Sequence, residues 1–192
     1  MTSELLKLRS EAGYLTVDDK TKFHALAVES GDPNIWKWRI FIPKGTRYQW
    51  NIACENIPQS TPPAKPGTSS VSNEPYWETD TNVLVTAQLK EADSGDWRLT
   101  VSSKIGDSRN QMGGATLKIP ADKIEWMRTS GSNEIREIGS HKIAIRDTRG
   151  PIILLQKRPC EKTSNGRYSP SAGIMPGYVI WLSEVQAIRS AK

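Results

Sequence analysis

Along residues 35–54, IWKWRIFIPKGTRYQWNIAC, bulky apolar side chains fall on every second position: Trp36, Trp38, Ile40 and Ile42, then Tyr48, Trp50, Ile52 and Cys54. The positions between them carry Lys37, Arg39, Arg47, Gln49 and Asn51. Successive side chains of a strand point to opposite faces, so this alternation gathers the aromatic groups on one side and most of the charge on the other. Pro43-Lys44-Gly45-Thr46 separates the two runs with turn chemistry, which predicts an antiparallel hairpin. An aromatic sheet face of that size requires a cover.

The same period recurs downstream. Val83, Val85, Ala87 and Leu89 alternate with polar residues, Glu91 to Asp96 turns the chain, and Trp97, Leu99 and Val101 alternate on the way back, predicting a second hairpin. Further strands are expected at 115–119, around Ile124 and Trp126, at 141–146 and at 178–182. Residues 22–29 have apolar groups on both sides, and residues 151–156, PIILLQ, are apolar without alternation. Both read as interior strands, the second with both faces covered. Helix is expected only at the ends: Leu5 and Leu8 at helical spacing within residues 3–11, and a Ser-x-x-Gln capping box at Ser183–Gln186. These elements predict an all-β fold, an antiparallel jelly-roll-like β-sandwich of about eight or nine strands with short N- and C-terminal helices. Residues 1–20 form a helix and lead-in, and 21–192 a single domain.

Two stretches break the pattern. Residues 57–75 hold Pro58, Pro62, Pro63, Pro66 and Pro75 and little that is apolar. Proline at that density removes ladder donors, so the segment is expected to be a long exposed loop, disordered and no part of a sheet. Residues 159–177, rich in Gly, Ser and Pro, read as a second long loop.

Composition adds a few bounds. With 192 residues, one domain with a real core suffices. No apolar run approaches the roughly 18 residues that span a bilayer, and residues 1–20 contain no stretch like the apolar part of a secretory signal, so a cytoplasmic location is expected unless the chain is a fragment. Two cysteines, Cys54 and Cys160, are too few for a disulfide framework and suit buried thiols. The net charge of +5 is uneven: 10 basic against 13 acidic residues up to position 96, and 16 against 8 beyond it. Such an excess could steer an acidic partner, although outward strand positions are commonly Lys or Arg in any sheet.

Candidate chemistry is sparse. The two histidines, His24 and His141, begin no pair with metal-ligand spacing, and no cofactor-binding or nucleophile motif is present, so neither metal nor cofactor is expected. A nucleophile and base could be assembled from Cys160 and His141, and a carboxylate pair from Glu78 and Asp80, but nothing in the sequence places either in a cleft. The one compositional excess is seven tryptophans. Trp36, Trp38, Trp50 and Trp97 sit in the core register; Trp77, Trp126 and Trp181 are less well accounted for. If the two long loops meet at one end of the sandwich, Tyr76, Trp77, Arg158, Arg167 and Tyr168 would form an aromatic and basic rim able to stack on a sugar or hold a partner protein. The expectation is therefore a binding or interaction module rather than an enzyme, its ligand a glycan or a protein. A hydrolase with a carboxylate or cysteine-based site is the alternative, and nucleic-acid binding through the basic second half ranks below both.

Overall fold

A computed structural model of the chain describes residues 14–46, 48–71, 79–105, 113–129, 132–140, 142–147 and 149–185. The N-terminal helix expected over residues 3–11 lies outside them. They form two antiparallel sheets facing each other across one core. The first sheet contains β1 (Phe23–Val28), β2 (Ile35–Ile42), β5 (Thr81–Glu91), β6 (Trp97–Ile105), β7 (Gly113–Ile119) and β9 (Ala144–Arg146), in the spatial order β7-β6-β5-β2-β1-β9. The second contains β3 (Tyr48–Cys54), β4 (Thr68–Val71), β8 (Asn133–Glu137), β10 (Ile152–Lys162), β11 (Tyr168–Pro170) and β12 (Tyr178–Glu184). Its order is β11-β10-β12-β3-β4, with β8 also paired to β10.

The core is the one the alternation requires. Trp36, Trp38, Ile40 and Ile42 of β2 are buried from one sheet, and Tyr48, Trp50 and Ile52 of β3 from the other. The β5–β6 hairpin forms as expected, with Leu89 opposite Leu99 and Glu91 opposite Trp97. β1 lies between β2 and β9, an interior strand as its two apolar faces imply. Strand β10 is flanked by β12 and β8, and its register with β12 shifts between Ile153 and Leu155. That bulge puts Leu154 and Leu155 both in the interior, which is why the run does not alternate.

Several expectations are corrected. Strands β2 and β3 do not pair with each other: β2 bonds to β1 and β5, β3 to β12 and β4. The Pro43–Thr46 turn carries the chain from one sheet to the other, so the two aromatic runs face each other across the core instead of lying side by side. Period-two alternation is the same in both arrangements, because each places the even-numbered side chains inward. Ile124 and Trp126 belong to no strand; they sit in two four-residue helices, α1 (Ala121–Ile124) and α2 (Trp126–Thr129). Ser183 and Glu184 continue β12 opposite Gln49 and Tyr48, so no helix starts at Ser183. The second loop is much shorter than its composition suggests, since Cys160–Lys162 and Tyr168–Pro170 pair as a hairpin.

The proline-rich segment is corrected too. Ile57, Pro58 and Gln59 are held against the second sheet by side chains of β8 and β10, and Thr68–Val71 pair with β3 as strand β4. Beneath that cover lies a second apolar cluster, Ala53, Ile57, Val179 and Trp181, with Ile153 packed against it. Trp181, which the core register left unaccounted for, belongs to this cluster, on an outer face that the chain itself covers. Among the described residues, no helix is long and apolar enough to cross a membrane.

Candidate binding pocket at one end of the sandwich

Strand β3 ends at Cys54, and the next two residues, Glu55 and Asn56, adopt left-handed backbone angles, φ 69° and 48°. Asn tolerates that region, whereas a Glu held there is uncommon and is a place to look for function. The two residues redirect the chain so that the Glu55 amide donates to the Gly177 carbonyl at 2.8 Å and Ile57 exchanges backbone hydrogen bonds with Met175 at 2.8 and 3.2 Å. Gly177 can only be glycine: an added Cβ would lie 2.5 Å from the Lys157 carbonyl oxygen. Pro120, which lacks an amide hydrogen, precedes the turn of α1 and delivers Asp122, Lys123 and Trp126 beside Glu55.

Glu55, Asn56, Asp122, Lys123, Trp126 and Pro176 line a cavity of about 260 Å³. The Lys123 ammonium lies 3.4 Å from a Glu55 carboxylate oxygen and 3.9 Å from one of Asp122, so one cation stands within ion-pair reach of two carboxylates. Trp126 is half-buried, and its ring centroid is 6.2 Å from that of Tyr178, which in turn meets Trp36 edge-on at 6.1 Å. This aromatic stack anchors the pocket to the core. The Trp126 Nε1–H and the Tyr178 hydroxyl are buried with no hydrogen-bond partner among the described residues. Burial raises the Tyr178 hydroxyl well above its ordinary range and pushes the neighbouring Cys54 thiol up to about 11. At neutral pH Cys54 is a protonated thiol, a poor nucleophile.

Of the residues expected to form a rim, the three that are described do not share a surface: Arg158 faces inward, Arg167 and Tyr168 outward. Tyr76 and Trp77 lie outside the described residues. Arg167 and Tyr168 are exposed at the β10–β11 hairpin, where Thr163 closes the turn on the Arg167 carbonyl. Arg158 is fully buried, which corrects its place on a rim. Its guanidinium donates to the carbonyls of Ile57 at 3.3 Å, Gly173 at 3.2 Å and Ser171, with a Glu134 carboxylate oxygen 3.9 Å away. Glu134 also holds Arg136 at 2.6 Å, and Arg136 donates to the Gln59 carbonyl at 2.8 Å. The two irregular segments do meet, joined by this network and the Ile57–Met175 bonds, but the arginine that joins them faces inward.

Of the carboxylate pair and the cysteine–histidine pair considered for hydrolysis, one member of each lies outside the described residues. Asp80 is on the surface with Lys20 at 3.6 Å, and Glu78 and His141 lie outside the described residues. His24 is buried with Nε2 2.7 Å from the Asp19 carbonyl oxygen. No group of three or more His, Cys, Asp or Glu able to hold a metal occurs among the described residues. The pocket residues themselves were missed in the sequence because Ile124 and Trp126 imitate a strand. Pro120-Ala121-Asp122, a proline followed by an acidic first turn, is the helix-start signal that would have separated them.

No family model matches the chain, and no curated protein or solved structure matches it.

Proposed function

We propose that this protein is a non-enzymatic binding module that holds one sugar ring of a neutral glycan in the Trp126 pocket. A pyranose has an apolar C–H face and a rim of hydroxyls that both donate and accept hydrogen bonds. The pocket offers matching chemistry: the indole of Trp126 for the apolar face, the carboxylates of Glu55 and Asp122 as acceptors, the Lys123 ammonium as donor and the Asn56 amide as both. The single observation that carries this reading is that juxtaposition, an aromatic side chain fixed by Tyr178 beside an ion-paired polar rim. The cavity is smaller than the roughly 300–1,000 Å³ that takes a drug-sized molecule, which favours a single ring. The raised thiol of Cys54 and the engagement of both carboxylates by Lys123 argue for holding a ligand rather than cleaving it. A jelly-roll-like architecture belongs to the same proposal; it is supported by the repeated passage of the chain between the two sheets.

The test is titration with a panel of neutral hexoses, read by calorimetry. Binding on the order of millimolar is expected for so small a contact. It should be lost in Trp126→Ala and largely kept in Trp126→Phe. Absence of binding to every hexose, or full binding by Trp126→Ala, would remove the reading.

A further inference from the structure

The outer face of the first sheet has no part in that pocket, and its charge is one-sided. Between the core positions of β2, β5, β6 and β7 stand six cations: Lys37, Arg39, Lys90, Arg98, Lys104 and Lys118. The one carboxylate on these four strands, the exposed Glu91 at the end of β5, falls in the inward register opposite Trp97; the chain's 26 basic and 21 acidic residues are nearly balanced, so ordinary outward solvation would have placed carboxylates among the cations. Register arranges the cations in two rows. Lys90, Arg98 and Lys118 lie side by side across β5, β6 and β7. Arg39 and Lys104 flank Leu84 at the other end, with Lys37 next to them opposite Thr86. Along the strands the rows are four to six residues apart, roughly 14–20 Å at an antiparallel rise of ~3.4 Å per residue. Between them Gln88, Thr100, Ser102 and Thr116 present neutral hydrogen-bonding groups, with Thr116 bonded to Thr100 at 3.3 Å. Lys118 pairs with Asp96 at 2.8 Å, whereas the other five cations form no ion pair among the described residues.

Two lines of cations separated by a flat hydroxyl and amide floor match two phosphate backbones separated by a shallow groove. Tyr14, 60% exposed with the Arg39 guanidinium carbon 5.8 Å from its ring centroid, stands at the Arg39–Lys104 row; the described floor between the rows has no aromatic side chain, so the face lacks the run of successive stacking positions that single strands use. It has no apolar wedge with which to enter a bilayer either. The wide, shallow minor groove of an A-form duplex, with 2′-hydroxyls along it, fits a flat face; the narrower minor groove of B-form DNA does not. We propose that this sheet face docks double-stranded RNA across its minor groove, with the two basic rows on the phosphates and the threonine and glutamine side chains facing the 2′-hydroxyls.

The test is fluorescence anisotropy with the full chain and four probes: an RNA duplex, the DNA duplex of the same sequence, one RNA strand alone, and vesicles containing phosphatidylserine. The RNA duplex should bind tightest, its log affinity falling with log salt at a slope of roughly −4 to −5 for the five cations that form no ion pair among the described residues. Arg98→Glu with Lys104→Glu should weaken it at least tenfold and flatten the slope, with the circular dichroism unchanged because both side chains are exposed. Thr100→Val with Thr116→Val should narrow the RNA-over-DNA preference. Trp126→Ala should leave duplex binding as it was, which separates this face from the sugar pocket. The proposal is overturned by equal binding of the DNA duplex or the single strand, by binding of vesicles alone, by no binding of the RNA duplex, or by charge-reversed protein that binds it normally.

Discussion

The two outer faces of the sandwich begin from the same rule and end differently. On the first sheet the outward positions of β5, β6 and β7 are mostly Lys, Arg, Thr, Ser and Gln, and they stay in water. On the second, β3 and β12 turn Ala53, Val179 and Trp181 outward, and these cannot stay there without exposing a large apolar patch. The chain answers with its own proline-rich segment. Ile57 joins the cluster, and three side chains of the second sheet fix the backbone above it: Gln156 donates to the Pro58 carbonyl at 2.6 Å, Arg136 to that of Gln59 at 2.8 Å and Arg158 to that of Ile57 at 3.3 Å. Backbone without a ladder partner can be ordered if side chains satisfy its carbonyls. A sheet face therefore acquires a cover when its outward residues are apolar, and the contents of the cover matter less than the donors beneath it.

That contrast can be broken most severely at Arg158. Arg158→Ala strands the carbonyls of Ile57, Gly173 and Ser171 and leaves the Glu134 carboxylate without its buried cation. A loss of about 3–5 kcal/mol is expected by urea denaturation, together with rapid proteolysis within residues 57–67. A loss below about 1 kcal/mol with an intact cover would mean the arginine is not what holds it. Trp181→Ala, which empties the apolar cluster beneath the segment, should cost about 3 kcal/mol, far more than an outward tryptophan in water would.

A pH effect sharpens the comparison at the end where cover and core meet. The Cys54 thiol ionises near 9.0 when free and near 11 in the fold, because burial disfavours the thiolate. The unfolded chain therefore releases this proton first as pH rises. Stability from this residue is complete below about pH 9 and declines through pH 9 to 11, by on the order of 2 kcal/mol. The check is denaturation across that range with Cys54→Ala as reference, whose curve should lack that part of the decline; alkylation of Cys54 in the folded Cys160→Ala variant should stay slow until the same pH window. The smallest effect belongs to the open face. Lys104→Ala, exposed and without an ion pair among the described residues, should change stability by less than about 0.5 kcal/mol.

What could be read from the sequence follows from which physical signals are local. Alternation is local, so the burial of Trp36, Trp38 and Trp50 and the β5–β6 hairpin were legible. Partner choice is not. Nothing in residues 35–54 distinguishes a hairpin from a turn that crosses between sheets, and only the neighbours β1, β5, β4 and β12 decide it. Strand β8 was missed because its pattern is inverted: Ile135 is exposed while Glu134 turns toward the buried Arg158, so an ion pair hides the strand from a hydrophobic reading. The same pair conceals why Arg158 is not a surface residue. The Trp126 pocket was illegible for a related reason, since its six lining residues come from three separate segments brought together by the left-handed turn at Glu55 and Asn56.

The claim that the covered end of the sandwich holds a sugar ring is most directly tested by following the indole N–H resonances of the seven tryptophans during titration with the hexose that binds best. The account expects the Trp126 resonance, assigned by its disappearance in Trp126→Phe, to shift in proportion to occupancy while those of the core residue Trp38 and the covered Trp181 stay fixed. A titration that moves Trp181 or Trp77 and leaves Trp126 unchanged would contradict it.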